Sequence, residues 1–206
     1  MAVEHYFSSD PSGDFTPRTM SVELAGERVS VKTGPGIFSP SGIDKGTAIL
    51  LAEAPEPFGD AVLDIGTGWG PITLTLAKKL PTARVIGVEV NQRSAQLAAM
   101  NAHDLGLENV EIYSPEQVPA DVHFSTIWSN PPIRVGKEVL HGILKQWMPR
   151  LAPDGRAYLV VQKNLGSDSL QKWLDEELSS SHPGEFSVSR YATAKGFRIL
   201  EVHRAA

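Results

Sequence analysis

The chain has 206 residues, 41% hydrophobic and 21% charged, with a net charge of −5 and no cysteine. That length suits one domain with a full core. Lack of thiols excludes disulfides and thiolate chemistry and makes the cytoplasm the default, and no apolar run approaches the ~18 residues of a membrane span.

The acidic balance argues against indiscriminate coating of nucleic acid, which needs many phosphate neutralisations. The charge is nevertheless polarised. Residues 131–163 carry six basic groups (Arg134, Lys137, Lys145, Arg150, Arg156, Lys163) against two acids, while residues 1–60 carry four against nine. A local basic patch and a solvated helix face both fit this pattern.

At the start, "MAVEHYFSSDPSGDF" has an early glutamate and no apolar segment, so it does not read as a secretory signal. "MSVELAGERVSVKT" (20–33) alternates on either side of Ala25 and Gly26 and predicts a β-hairpin. "GPGIFSPSG" (34–42) is a glycine- and proline-rich loop. From Lys45 onward, strands alternate with helices. "AVLDIG" (61–66) reads as a strand, "PITLTLAKKL" (71–80) as a helix and "ARVIGVEV" (83–90) as a strand. Asn91 caps the helix "QRSAQLAAMNAHDL", which Gly106 stops. "NVEIY" and "FSTIWS" are strands. "KEVLHGILKQWM" is an amphipathic helix with Val139, Leu140, Ile143, Leu144 and Trp147 on one face. "GRAYLVVQ", the helix "SLQKWLDEEL" and the strand pair "FSVSRY" and "FRILEV" close the chain. The pattern predicts a doubly wound α/β domain with a mainly parallel sheet. The last two strands lack a helix between them, so one is expected to run antiparallel at the edge.

Such sheets bind ligands beyond the carboxyl ends of their strands, which is where "LDIGTGWG" (63–70) falls. Gly66, Gly68 and Gly70 allow a tight turn and close backbone approach ahead of a helix N-terminus. The position where a dinucleotide fingerprint wants its third glycine is Pro71. Asp64 would repel a pyrophosphate but suits an ammonium or sulfonium group. Glu89, 25 residues on at the end of the next strand, is placed to accept ribose hydroxyls. A nucleoside with a positively charged tail is therefore the expected ligand. A tight turn with a helix-capping acid is the plainer alternative. The six histidines show no ligand spacing, and no metal site is expected.

These residues resemble the class I S-adenosylmethionine-dependent methyltransferases, from about Lys45 to the end. The likeness implies a Rossmann-like sheet of seven strands and a single methyltransferase domain, with residues 45–206 as catalytic core and residues 1–44 as a hairpin and loop extension. It implies S-adenosyl-L-methionine as cofactor, with Asp64, Gly66, Thr67, Gly68 and Gly70 at the methionine portion, Glu89 at the ribose, and Asn130 beside the methyl group. Where many members carry an acid near the adenine amine, "YSPEQ" has Pro115, which leaves Glu116 or the backbone for that contact.

"SNPPI" (129–133) ends the fourth core strand on residues that cannot continue a ladder. Taken alone it fits a turn. It also resembles the (Asn/Asp)-Pro-Pro-(aromatic) motif of methyltransferases acting on planar amines. The nitrogen lone pair of such an amine is delocalised. If the Asn130 side-chain oxygen and the Pro131 carbonyl each accept an N–H, the nitrogen is drawn toward tetrahedral geometry and aimed at the methyl carbon. Ile133 replaces the stacking aromatic, which argues against adenine-N6 chemistry on flipped DNA bases.

"NPPIRVGKEVLH", "HYFS", "GIFSPSGIDKGT" and "KGFRILEV" together resemble the branch that methylates guanine N2 in small-subunit ribosomal RNA. That resemblance implies ribosomal RNA or a ribosomal subunit as substrate and no membrane partner. It puts Pro132 and Ile133 at the substrate, Arg134 and Lys137 at RNA phosphate, and the "GIFS" loop at the cofactor pocket. Phe38 and Trp128 are aromatic candidates for stacking, each weighed against a place in the core. Protein glutamine-N5 methylation and a non-catalytic cofactor- or RNA-binding module are the competing readings; a nicotinamide oxidoreductase ranks last.

Overall fold

A computed structural model describes residues 15–206; the early "HYFS" lies outside them. In the hairpin, β1 (Arg18–Leu24) and β2 (Glu27–Thr33) pair antiparallel. Ala25 and Gly26 form the two-residue turn, both left-handed at φ 52° and 80°, the geometry that matches hairpin twist.

The remaining elements are α1 (Lys45–Glu53), β3 (Ala61–Ile65), α2 (Pro71–Lys79), β4 (Arg84–Val88), α3 (Gln92–Asp104), β5 (Val110–Tyr113), β6 (Phe124–Ser129), α4 (Lys137–Trp147), β7 (Leu151–Gln162), α5 (Ser167–Ser181), β8 (Phe186–Ala194) and β9 (Phe197–Arg204). Seven strands form the main sheet in the order β5-β4-β3-β6-β7-β9-β8. The β3, β4, β5, β6 and β7 pairings are parallel, and β9 runs antiparallel to both neighbours.

One detail differs from expectation. The antiparallel strand lies one place in from the edge, because β9 carries buried residues on both faces (Ile199, Leu200, Val202) while β8 is largely exposed and tolerates the margin. "ATAKG" is mostly strand, and the turn is only Lys195 and Gly196, both at positive φ.

Alternation along β3 feeds two layers. Val62 packs with α1 and α2 (Ile49, Leu50, Ile72, Leu76). Leu63 and Ile65 pack with α4 and α5 (Leu140, Leu144, Trp147, Leu170, Leu174) on the other side. Val139, expected on the apolar face of α4, is 53% exposed. It lies a full helical step, ~100°, from Leu140 at the centre of the stripe and so falls outside it. Periodicity does not single out helix α1; its signal is Asp44, which accepts from Gly46 N and Thr47 N as N-cap.

A third cluster joins the hairpin to α2 and α3 through Leu24, Val31, Ile37, Trp69, Leu74 and Leu97. Fully buried Asn101 of α3 makes the polar counterpart: its Oδ1 accepts from Lys32 N (2.6 Å), and its Nδ2 donates to Lys32 O (3.0 Å) and Trp69 O (2.9 Å). One amide thus ties the edge of β2 to the residue that follows Gly68. Asn101→Ala is expected to cost about 2 kcal/mol, lowering the melting temperature by roughly 4–8 °C at this chain length. Calorimetry with limited trypsin digestion checks this: cleavage at Arg28 and Lys32 should precede cleavage of the core. An unchanged melting curve would contradict the clamp.

Candidate active site

Pairing of β3 with β6 sets Asp64 opposite Trp128 and Ile65 opposite Ser129. Ser129 Oγ donates to Ile65 O (2.7 Å) and locks the two strand ends together. One residue further along each strand, Gly66 and Asn130 line a single narrow cleft with Phe38, Ser39, Asp44, Thr47, Thr67, Gly68 and Trp69. Its volume is about 30 Å³, room for a water or two. A more open depression of about 530 Å³, lined by Lys78, Pro81, Leu107 and Asn109, sits before β4 and β5. That is the amino end of the strands, the wrong end for ligands in such sheets.

The glycine turn divides into two kinds of glycine. Gly66 and Gly68 have φ of 81° and 58°, and a Cβ at either would meet no protein atom within 4 Å; their Cα faces are left clear for a ligand. Gly70, Asp64 and Glu89, all expected among the cofactor residues, do not line this cleft, although Trp69 and Pro71 on either side of Gly70 do. Gly70 is the left-handed N-cap of α2, and its missing Cβ makes room for the Leu74 side chain (3.2 Å) and Ala98 Cα (3.6 Å). Packing thus requires glycine at this position.

Asp64 is wholly buried on the α2 side of β3. Its Oδ2 accepts from Thr73 Oγ1 (2.6 Å) and Thr73 N (3.1 Å), so it supplies the cap that Gly70 cannot. The plainer reading of this acid as a helix cap is therefore realised. It uses only one oxygen: Oδ1 is buried with no partner among the described residues. Burial, with a contribution from the Glu89 charge, pushes the Asp64 carboxyl up to about 7 against the hydrogen bonds from Thr73. Gly87, opposite Asp64 on β4, is a residue that motif reading missed. A Cβ there would stand 2.6 Å from Thr67 Oγ1 and 2.9 Å from Thr73 Oγ1, and a lone glycine inside a strand was the available signal.

Glu89 is half-buried and bridges the glycine turn to α3, accepting from Gly68 N (2.7 Å) and Asn91 N (2.9 Å). Burial raises its pKa, and the Asn91 and Gly68 amides oppose the rise. Val90 beside it is 48% exposed, so the site opens to solvent in that direction. Pro115 to Gln117 form a 3-10 turn after β5 with Glu116 exposed on it.

The Asn130 amide is oriented. Nδ2 donates to Asp44 Oδ2 (3.0 Å) and Thr47 Oγ1 (3.1 Å), which uses both hydrogens and leaves Oδ1 as an acceptor on the side away from α1. Pro131 O accepts from Ile133 N (2.8 Å) across Pro132, whose φ and ψ of −75° and 76° make an inverse γ-turn. A carbonyl has two lone pairs, so one remains.

Ile133 packs against the α4 and α5 core, and Arg134 and Lys137 are exposed on the adjoining turn and first turn of α4. Trp128 is core, 1% exposed; Phe38 is 48% exposed and lines the cleft. Loop 34–44 is held by Trp69 Nε1 to Ser39 O (3.3 Å) and by Arg18 Nη2 and Thr33 Oγ1 to Pro40 O.

The basic stretch also divides. Lys145 pairs with Glu177 and Arg156 with Glu201, while Arg150 donates to the carbonyls of Pro119 and Val122. Arg134, Lys137 and Lys163 stay exposed near the carboxyl ends of the strands, with no ion pair to any described residue.

Sheet order, glycine turn, paired acids and the rigid Asn-Pro-Pro end together define a Rossmann-like methyltransferase. A profile of the methyltransferase small domain matches residues 28–201. An uncharacterized Bacillus subtilis (strain 168) protein, YbxB, is 34% identical over 98% of both chains. A Hahella chejuensis protein named ribosomal RNA small subunit methyltransferase C is 33% identical over 77% of this chain and 50% of its own. The T. thermophilus 16S rRNA N2 G1207 methyltransferase, solved with AdoMet and guanosine, superposes with a TM-score of 0.75 at 24% identity, covering 95% of this chain and 52% of that one. The chain thus spans nearly all of the first and about half of the other two; it belongs to the methyltransferase small-domain family.

The raised Asp64 pKa has a defined consequence for stability. A carboxyl titrating near 7 when folded and near 3.8 when unfolded favours the native state most at low pH, and that contribution is lost as pH rises from about 4 to about 7. Ligand-free Asp64→Asn is therefore expected to differ from the parent by a stability increment that changes by about 1.4 kcal/mol per pH unit within that window. Urea unfolding at pH 5, 6 and 7 measures it; a constant increment would show that the carboxyl is not shifted.

Proposed function

We propose that this protein transfers the methyl group of S-adenosylmethionine to an exocyclic base amine in ribosomal RNA, N2 of guanine in particular, and so works in the cytoplasm with the ribosome. The observation that carries the reading is the Asn130 amide, which lines the cleft beside Gly66 and whose hydrogens are both taken by Asp44 and Thr47, so that its oxygen is left to accept from a substrate amine. The relatives named for small-subunit ribosomal RNA methylation support the substrate class.

The residues present fit the cofactor. Gly66 and Gly68 leave backbone clear for its methionine end, and the unpartnered Asp64 Oδ1 suits a cation. Each Glu89 oxygen accepts one backbone N–H and keeps capacity for ribose hydroxyls. When bound, S-adenosylmethionine supplies a methyl carbon already activated by its sulfonium charge. Asn130 Oδ1 and Pro131 O each accept an N–H of the amine and tilt its lone pair out of the ring plane. With the methyl carbon that the cofactor would supply, that pair would form the C–N bond while the S–CH₃ bonding pair would stay with sulfur, and the surplus proton on nitrogen would pass to water. Positive charge grows on the nitrogen during transfer, and two fixed oxygen dipoles oppose it without reorganisation. Phe38 offers the flat face that Ile133 does not. Arg134, Lys137 and Lys163 supply phosphate contacts that position the strand.

Tritiated S-adenosylmethionine offered with naked ribosomal RNA, assembled subunits and release factors separates the substrates: label in RNA is expected, and label only in protein would sink the reading. Asn130→Ala is expected to lower turnover by about 10²- to 10³-fold with cofactor affinity within a few-fold, as read by calorimetric titration; equal turnover would refute the mechanism. Arg134→Ala and Lys137→Ala should each weaken RNA binding at every sequence and remove about 0.7–0.9 from the slope of log K against log salt. Unchanged slopes in filter binding would place the RNA elsewhere.

A further inference from the structure

Asp44 has no part in the motif that points to catalysis, yet its carboxylate meets that motif directly. Oδ2 accepts from Gly46 N (2.8 Å) and Thr47 N (3.4 Å) as N-cap of α1, and also from Asn130 Nδ2 (3.0 Å). Thr47, 4% exposed in the first turn of the same helix, takes the other Nδ2 hydrogen. Gly46 makes the approach possible. A Cβ there would lie 3.0 Å from Asp44 Oδ2, 3.2 Å from the Phe197 ring and 3.3 Å from Asn130 Nδ2.

We propose that Asp44 and Thr47 are positioning residues for methyl transfer, which fix the direction of the Asn130 amide and strengthen its oxygen as an acceptor; this rests on the function proposed above. The two ends of a carboxamide have nearly the same shape, so packing alone hardly distinguishes them. If Asn130 were flipped, its NH₂ would face the incoming amine, donor against donor, and the motif could not hold the nitrogen.

A carboxylate accepts and cannot donate, so at Asp44 the flipped state would set oxygen against oxygen inside a half-buried pocket. Asp44 is in turn immobilised by the two backbone amides of α1. The helix therefore sets the carboxylate, and the carboxylate sets the amide. The same hydrogen bond carries charge: donation to an anion draws electron density toward Oδ1, on the side where positive charge grows on the substrate nitrogen.

Asp44→Asn tests this without disturbing the helix, because asparagine caps as well as aspartate. The substituted carboxamide offers both a donor and an acceptor, so it accommodates either orientation of Asn130 and removes the charge. With ribosomal RNA and tritiated S-adenosylmethionine, the variant should lose about tenfold to hundredfold in kcat, with KM, cofactor affinity and melting temperature near those of the parent. Thr47→Val should lose turnover, and Thr47→Ser should restore it. Parent-like kcat in Asp44→Asn would overturn the proposal, as would a kcat loss matched by an equal loss of cofactor affinity or melting temperature.

A second measurement needs no substrate. In ¹⁵N-labelled ligand-free protein, the Asn130 side-chain NH₂ protons should show slowed solvent exchange and shifts displaced from those of a free amide, both moving toward free-amide values in Asp44→Asn. An Asn130 signal identical in parent and variant would disprove the link. Failure of the RNA labelling alone would remove the substrate assignment while leaving this result to decide on Asp44.

Discussion

The site depends on the register in which β3 pairs with β6. Ile65 stands opposite Ser129, and the buried Ser129 hydroxyl bonds the Ile65 carbonyl, so the two parallel strands finish level. The glycine turn and the Asn-Pro-Pro end then leave the sheet side by side. A slip of one residue would turn Asp64 and Trp128 to the opposite faces and move Asn130 along the strand from Gly66. Prolines end the strand on one side and positive-φ glycines on the other, so neither chain has an alternative route out.

Asp64 caps a helix and still has an acceptor to spare. Its cap on α2 through Thr73 holds the helix N-terminus against the sheet, while its second oxygen is buried without a partner among the described residues. An ionised carboxylate in that position is costly in the ligand-free protein, which is why its pKa rises. In the function proposed above, a positively charged tail beside Oδ1 would relieve that cost. Gly87 belongs to the same device, since any side chain there would collide with the two threonine hydroxyls.

The hairpin and the loop behind it serve as the roof of the site. Asn101 fastens β2 to α3, Trp69 reaches from the glycine turn to Ser39, and Phe38 and Ser39 line the cleft. Under this roof the cleft measures about 30 Å³. Residue 44, where the loop ends, is also where α1 begins and where the Asn130 amide is held.

Much of this was legible in the chain. Period-2 and period-3.6 patterns identified the strands and most helices, the glycine turn with two acids in register located the ligand end of the sheet, and the two prolines marked a rigid end. Local sequence determines these because backbone preference and hydrophobic period act over a few residues. Contacts between distant segments were not legible. The six basic residues looked alike until folding paired Lys145, Arg150 and Arg156 and left Arg134, Lys137 and Lys163 exposed. Gly70 was indistinguishable from Gly66 and Gly68 until Leu74 and Ala98 were packed against it. The order of β8 and β9 turned on which strand had two faces to bury. The sequence by itself determined which groups are present and how each short segment bends. Only the tertiary structure decided which way the Asn130 amide faces, because that direction is set by hydrogen bonds to residues 83 and 86 positions away.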